Sequence, residues 1–363
     1  MIINVQNIYF YNHKASLMKH HLHLLIPIFC CLILSSCTCN RNGQLPKKEK
    51  TVEASDIKVD IIEFQKELFA CHPEMLENEL TALQQKHPTF SNVYFNQVLN
   101  LPEAGDKSMQ LKVMKEFISK PAMKGLYDSV QYKFSNLDFL KKDLKVLFAN
   151  YKSYFPEKPT PKVYTCISEF SYSVFTATDS ILAISLDKYL GSNYIFYASL
   201  FQQYTFMLRT FDQKYISIDC ANVLVANLIP PPGDKSTLLD KMIAEGKILY
   251  AIHSLLPDKK NYDIIKYTEK NWEWCKKNEP RIWAFFLEEN LLYNTRFEEY
   301  KYVKDGPNTY GMPSDSPGRV GAWVGLQIVE AYMREYPQTT LKELIAIKDG
   351  QKMLTGSKYK PSF

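Results

Sequence analysis

Two spacings of apolar side chains alternate along the chain after residue 55, and each predicts its own kind of element. Residues 57–64 alternate apolar and polar side chains and predict a strand, whereas 64–71, 74–86, 110–130 and 137–151 carry helical spacing. The last is the clearest, with Leu137, Leu140, Leu144, Leu147, Phe148 and Tyr151 on one face. Pro73, Pro88 and Pro102 punctuate these segments. Residues 162–168, 172–177 and 180–186 are rich in β-branched and aromatic side chains, which predicts three consecutive strands of one sheet. From residue 194 onward helical spacing returns, interrupted at Pro230-Pro231-Pro232-Gly233, Pro257, Gly306-Pro307 and residues 313–317. Helices, a small sheet and a helical half make an α+β fold, mainly helical, in a single domain over residues 56–363.

The N-terminal region follows neither spacing. Residues 24–34 are nearly unbroken apolar, after Lys19 and His20 and before Ser35-Ser36-Cys37. Eleven residues at about 1.5 Å each fall short of a hydrocarbon core of about 30 Å. The run therefore reads as a secretory signal over residues 1–36, with Met18 as the expected start. Leu34-Ser35-Ser36-Cys37 has the form of a lipobox, which makes Cys37 the expected lipidation site and ties the chain to a membrane. Thr38, Cys39, Asn40 and Arg41 supply neither the acidic export signal nor the retention aspartate, so a periplasm-facing anchor is expected, in the outer membrane rather than the inner. Residues 37–55 are polar and predict a flexible lipidated tether.

Removal of residues 1–36 leaves 42 basic and 39 acidic side chains, a balance of +3. That balance, without a basic stripe interleaved with aromatics, excludes a nucleic-acid partner. Cys39, Cys71, Cys166, Cys220 and Cys275 are scattered without a metal-binding spacing, and most read as small buried side chains.

The helix opening at Ser236 or Thr237 carries the first unusual residue. Its apolar stripe runs Leu238, Met242, Leu249, Ile252, Leu256, and the missing step at 245 is glutamate. Glutamate is rarely buried unpaired, so Glu245 reaches water at the stripe's edge, pairs with a buried cation, or ligates a metal. Gly246 beside it costs the helix about 1 kcal/mol relative to alanine, which suggests close backbone approach. The region after 316 is the second. Ser316 reads as an N-cap and Pro317 as the first helical residue, and Gly318, Gly321 or Ala322, and Gly325 form a small-residue face. Arg319 in that first turn is the expected partner of Glu245.

Hydrolytic and phosphate chemistry find little support. The folded region has three histidines, His72, His87 and His253, with no HExxH, and His253 stands eight residues from Glu245. Zinc sites use about three or four His, Cys or carboxylate ligands, so neither metal nor other cofactor is expected. No GxSxG is present, and Gly233-Asp234-Lys235-Ser236-Thr237 follows three prolines rather than a strand and lacks the earlier glycine of a phosphate loop.

Together these segments resemble a known family. The lipobox, the 57–64 strand, Leu182-Ala-Ile-Ser-Leu-Asp-Lys-Tyr-Leu-Gly191, Met242-Ile-Ala-Glu-Gly-Lys-Ile-Leu-Tyr250, Trp283 with Glu288 and Leu292-Tyr293, Ser316-Pro-Gly-Arg-Val-Gly321 and Ser357-Lys-Tyr-Lys-Pro361 are similar to the gliding-motility lipoprotein GldB family of the Bacteroidetes. The resemblance implies a non-catalytic envelope lipoprotein that works with other envelope proteins of the gliding and type IX secretion machinery, and assigns no catalytic residue. The element order also resembles the zincin metallopeptidases, with Glu245 where their late glutamate ligand falls. By that likeness residues 197–208 would be the helix that carries HExxH, yet they hold no histidine or acid. The likeness implies a vestigial cleft around Glu245, Gly246, Arg319 and Tyr204. A working or degenerate zincin-type peptidase and a periplasmic peptide- or glycan-binding module are the alternatives.

Overall fold

Two short strands, Lys162–Cys166 (β2), buried after its exposed first lysine, and Ile181–Ser185 (β4), buried throughout, form the centre of a four-stranded sheet. Strands covered on both sides need continuous rather than alternating apolar sequence, which these strands largely have. Ile61–Glu63 (β1) and Val174–Thr178 (β3) are the half-exposed edges, in the order β1-β2-β4-β3. β1, β2 and β4 run parallel, with Ile61 opposite Val163 and Val163 opposite Leu182, and β3 returns antiparallel to β4. This computed structural model describes residues 45–101 and 106–362; Met18, the signal, Cys37 and the start of the tether lie outside the described residues.

Helices precede and follow the sheet: Phe64–Phe69 (α1), Leu76–Lys86 (α2), Pro88–Val93 (α3), Lys107–Ser119 (α4), Pro121–Lys133 (α5) and Asp138–Tyr154 (α6). Beyond the sheet come Tyr197–Leu200 (α7), Ile216–Ala226 (α8), Leu238–Leu255 (α9), Asn261–Ile264 (α10) and Glu269–Glu288 (α11). Val320–Glu335 (α12), Leu341–Ala346 (α13) and Gly350–Ser357 (α14) complete the chain. The architecture is α+β with a helical majority. No described helix is long and apolar enough to cross a membrane.

The structure corrects several local expectations. The opening strand is confined to 61–63, because Phe64 already begins α1 and is fully buried against Phe90 and Tyr94 at ring distances of 4.8 and 5.2 Å. Residues 88–98, for which no element is expected, are helical: Phe90 stacks on Tyr164 at 4.2 Å and the Tyr94 hydroxyl donates to the Ile167 carbonyl at 2.6 Å. The expected helix over 110–130 divides at Lys120, since Pro121 lacks an N–H and starts α5 as its first residue. Residues 45–55, expected within the flexible tether, lie against the body. There the Glu49 amide donates to the Ser153 carbonyl at 3.0 Å, and Lys47 bridges to Thr340.

Cys166, Cys220 and Cys275 are free and buried, and Cys71 is free and half-buried, as their scatter predicts.

Candidate functional site

The site is assembled on α9. Thr237 caps its N-terminus: its hydroxyl accepts from the Asp240 amide at 3.1 Å, and the Asp240 carboxylate accepts from the Thr237 amide at 2.9 Å. Leu238, Met242, Leu249, Ile252 and Leu256 are all buried, so the stripe faces the core as its spacing predicts. Glu245 sits at the edge of that face with its side chain 33% exposed. Arg319, 15% exposed, donates to it at 2.9 Å and lies 3.5 Å from Asp305.

Arg319 is not in the first turn of its helix. It is the N-cap of α12, with φ +60°, and Ser316 is instead a buried hydroxyl that accepts from the Thr309 amide at 3.3 Å. A left-handed backbone costs a non-glycine residue roughly 1 kcal/mol or more, and here it aims the guanidinium at Glu245.

The glycines explain why the two helices meet. A Cβ on Gly246 would lie 2.2 Å from the Gly325 backbone, and one on Gly325 would lie 1.7 Å from the Met242 carbonyl oxygen. Gly318 and Gly321 are similarly tight against Gly306 and Tyr302. The small-residue face of α12 is thus a seam along which α9 and the preceding loop touch it backbone to backbone.

α8 supplies the opposite wall. Ile218, Asp219 and Asn222 line a cleft of about 370 Å³ with Glu245, Lys266, Asp305 and Arg319. Lys266, also left-handed at φ +59°, pairs with Asp219 at 2.6 Å, and the buried Tyr189 hydroxyl donates to the same carboxylate at 2.8 Å. Burial and the neighbouring Asp219 push the Tyr189 hydroxyl pKa far up, so it stays a donor. The cleft is walled by paired charges, Asp219 with Lys266 and Glu245 with Arg319.

Lys266, Asp305 and Arg319 also line an adjoining pocket of about 80 Å³, together with Phe206, Met207, Arg209 and Asn271. Among the described residues no three His, Cys, Asp or Glu side chains converge to hold a metal ion. His72 lies against Glu79 and His87 against Glu67 and Tyr164, while burial lowers the pKa of His253 and keeps its ring neutral.

Two expectations about the cleft need correction. Residues 197–208 are not one helix: α7 gives way to a 3-10 run, Gln202–Thr210, kinked at Tyr204. Tyr204 is 51% exposed and lines neither cavity, so it does not join Glu245 and Arg319. The helix that faces Glu245 is α8. Its Asp219 is the single charged residue in a largely apolar helix, the same signal that marks Glu245, and would have revealed it. Lys266 and Asp305 lie in loops, where no spacing singles them out.

Among the described residues the structure is a mixed α+β body with a cleft walled by paired charges. The particular family is shown by sequence. The family model described as gliding motility protein GldB matches residues 46–361, and the chain belongs to that family of lipoproteins. No curated protein matches the chain. No solved structure matches it either, so the likeness to the zincins rests on element order alone.

Proposed function

We propose that this chain is a lipid-anchored, non-catalytic envelope protein that supports gliding and type IX secretion through protein contacts, anchored at Cys37 and facing the periplasm from the outer membrane. Family membership across residues 46–361 carries this reading. The chemistry of the cleft supports it. A HExxH pattern on α8 facing Glu245 would need imidazoles where Ile218 and Asn222 stand. The carboxylates that remain, Asp219 and Glu245, are engaged by Lys266 and Arg319. These residues do not fit a zinc ion, which takes about three or four convergent ligands. Glu245, Gly246 and Arg319 then hold α9 against α12 beside a cleft in which Asp219 is paired with Lys266, and Glu245 and Asp305 with Arg319.

The test uses the full chain in its own cells. Cys37→Ser should move the protein out of the membrane fraction; unaltered fractionation would remove the lipid anchor from the reading. Glu245→Gln, in a strain that lacks the wild-type copy, should restore surface spreading. Loss of spreading by a folded Glu245→Gln chain, or stoichiometric zinc retained after dialysis, would overturn the non-catalytic role.

A further inference from the structure

Residues 189–208 form a run of twenty without a single charged side chain, and it does not fold inward as such a run should. One side of it is rooted. Tyr197, Phe201 and Phe211 interlock at ring distances of 5.0 to 6.2 Å, and the Lys188 ammonium lies 4.1 Å above Phe201. The Tyr197 hydroxyl donates to the Asp187 carbonyl at 2.6 Å, and Gly191 bonds Phe211 across the base. The other side faces water: Ile195 is 75% exposed, Leu200 56%, Tyr204 51% and Phe196 44%. A fixed segment with an apolar outer side is what an interaction surface looks like.

Charge defines one end of it. The run leads through Phe206 and Met207 into the 80 Å³ pocket, where Arg209, Lys266, Arg319 and Asn271 meet with Asp305, which lies against Arg319. Lys266 and Arg319 are already paired with carboxylates. Arg209 is not: it bonds the Lys266 backbone carbonyl, and among the described residues no carboxylate pairs with it. One negative group fits there, and a planar carboxylate suits a guanidinium.

Charge argues against a bilayer as the occupant: residues 189–208 carry no basic side chain, whereas an anionic lipid surface is held by a cluster of them.

We propose that the outer face of residues 194–207, with Arg209 at its end, docks a segment of another protein that presents apolar side chains followed by a carboxylate, from Asp, Glu or a chain terminus. This deepens the reading of the chain as a protein that acts through contacts, and rests on it for the partner being an envelope protein.

The test is selection from a random-peptide display library on the purified folded chain. Apolar residues followed by an acidic residue or free C-terminus should be enriched. The selected peptides should bind at least tenfold more weakly to Leu200→Asp and to Arg209→Gln, both checked for an unchanged melting temperature. Their Asn or C-terminal amide versions should lose a similar factor. Enrichment of basic or uncharged sequences, no enrichment, or equal binding to the variants would overturn the proposal. So would phosphatidylglycerol vesicles, or self-association in solution, that bind the wild type and fail with Leu200→Asp. If selected peptides bind as expected but the deletion strain still glides, the docking face stands and the gliding role falls.

Discussion

Helices α9 and α12 contain seven charged side chains and the 191–210 segment only Arg209, yet the α9–α12 seam is buried and the segment lies on the surface. In the seam, apolar residues recur every three or four positions, and glycine stands wherever the partner backbone must approach. Each apolar side chain therefore has one direction to face, and that direction is inward. The 191–210 segment has more aromatic residues but no sustained period, so it breaks into short turns that bury Tyr197 and leave Ile195 and Leu200 outside. Burial follows spacing more closely than hydrophobic content.

The comparison breaks first at Gly325. Gly325→Ala puts a methyl group 1.7 Å from the Met242 carbonyl oxygen, where backbone and not a flexible side chain must yield. A loss of about 3 kcal/mol or more is expected in denaturant unfolding. A loss under about 1 kcal/mol would mean that the helices do not touch there.

Glu245→Ala should cost roughly 1–2 kcal/mol, less than a fully buried pair would, because the carboxylate is a third exposed and Arg319 keeps Asp305. An unchanged melting temperature would show a solvated carboxylate with no structural part in the seam.

Glu330 on α12 sharpens the comparison with pH. Burial raises its carboxyl pKa to about 7. The folded chain then holds this proton more tightly than the unfolded chain, so its contribution to stability is complete below about 4.5 and is lost as pH rises toward 7. Glu330→Gln should remove much of the fall in melting temperature between pH 6 and 8, on the order of 1 kcal/mol. An identical fall in the variant would place the titration elsewhere.

The smallest effects belong to the surface. Gly125→Ala on α5 meets nothing within 4 Å and should stabilise the fold by about 0.5 kcal/mol, the opposite sign to Gly325→Ala. Leu200→Asp should leave thermal stability within about 0.5 kcal/mol of wild type. A larger loss would mean that the 191–210 face is packed in solution.

By itself the sequence determined the α+β class, the capped helix at Thr237, the buried stripe, the close-packed glycines and Arg319 as the partner of Glu245, since each is written in local spacing or in one residue that breaks it. Only the tertiary structure decided that α8 rather than residues 197–208 faces Glu245, that Lys266 and Asp305 join the cleft from loops, and that Tyr204 lies apart. Those placements depend on where chain segments far apart in sequence come to rest. Loop residues carry no periodicity that could announce it, and an uncharged run declares its hydrophobicity without declaring which side will find a partner.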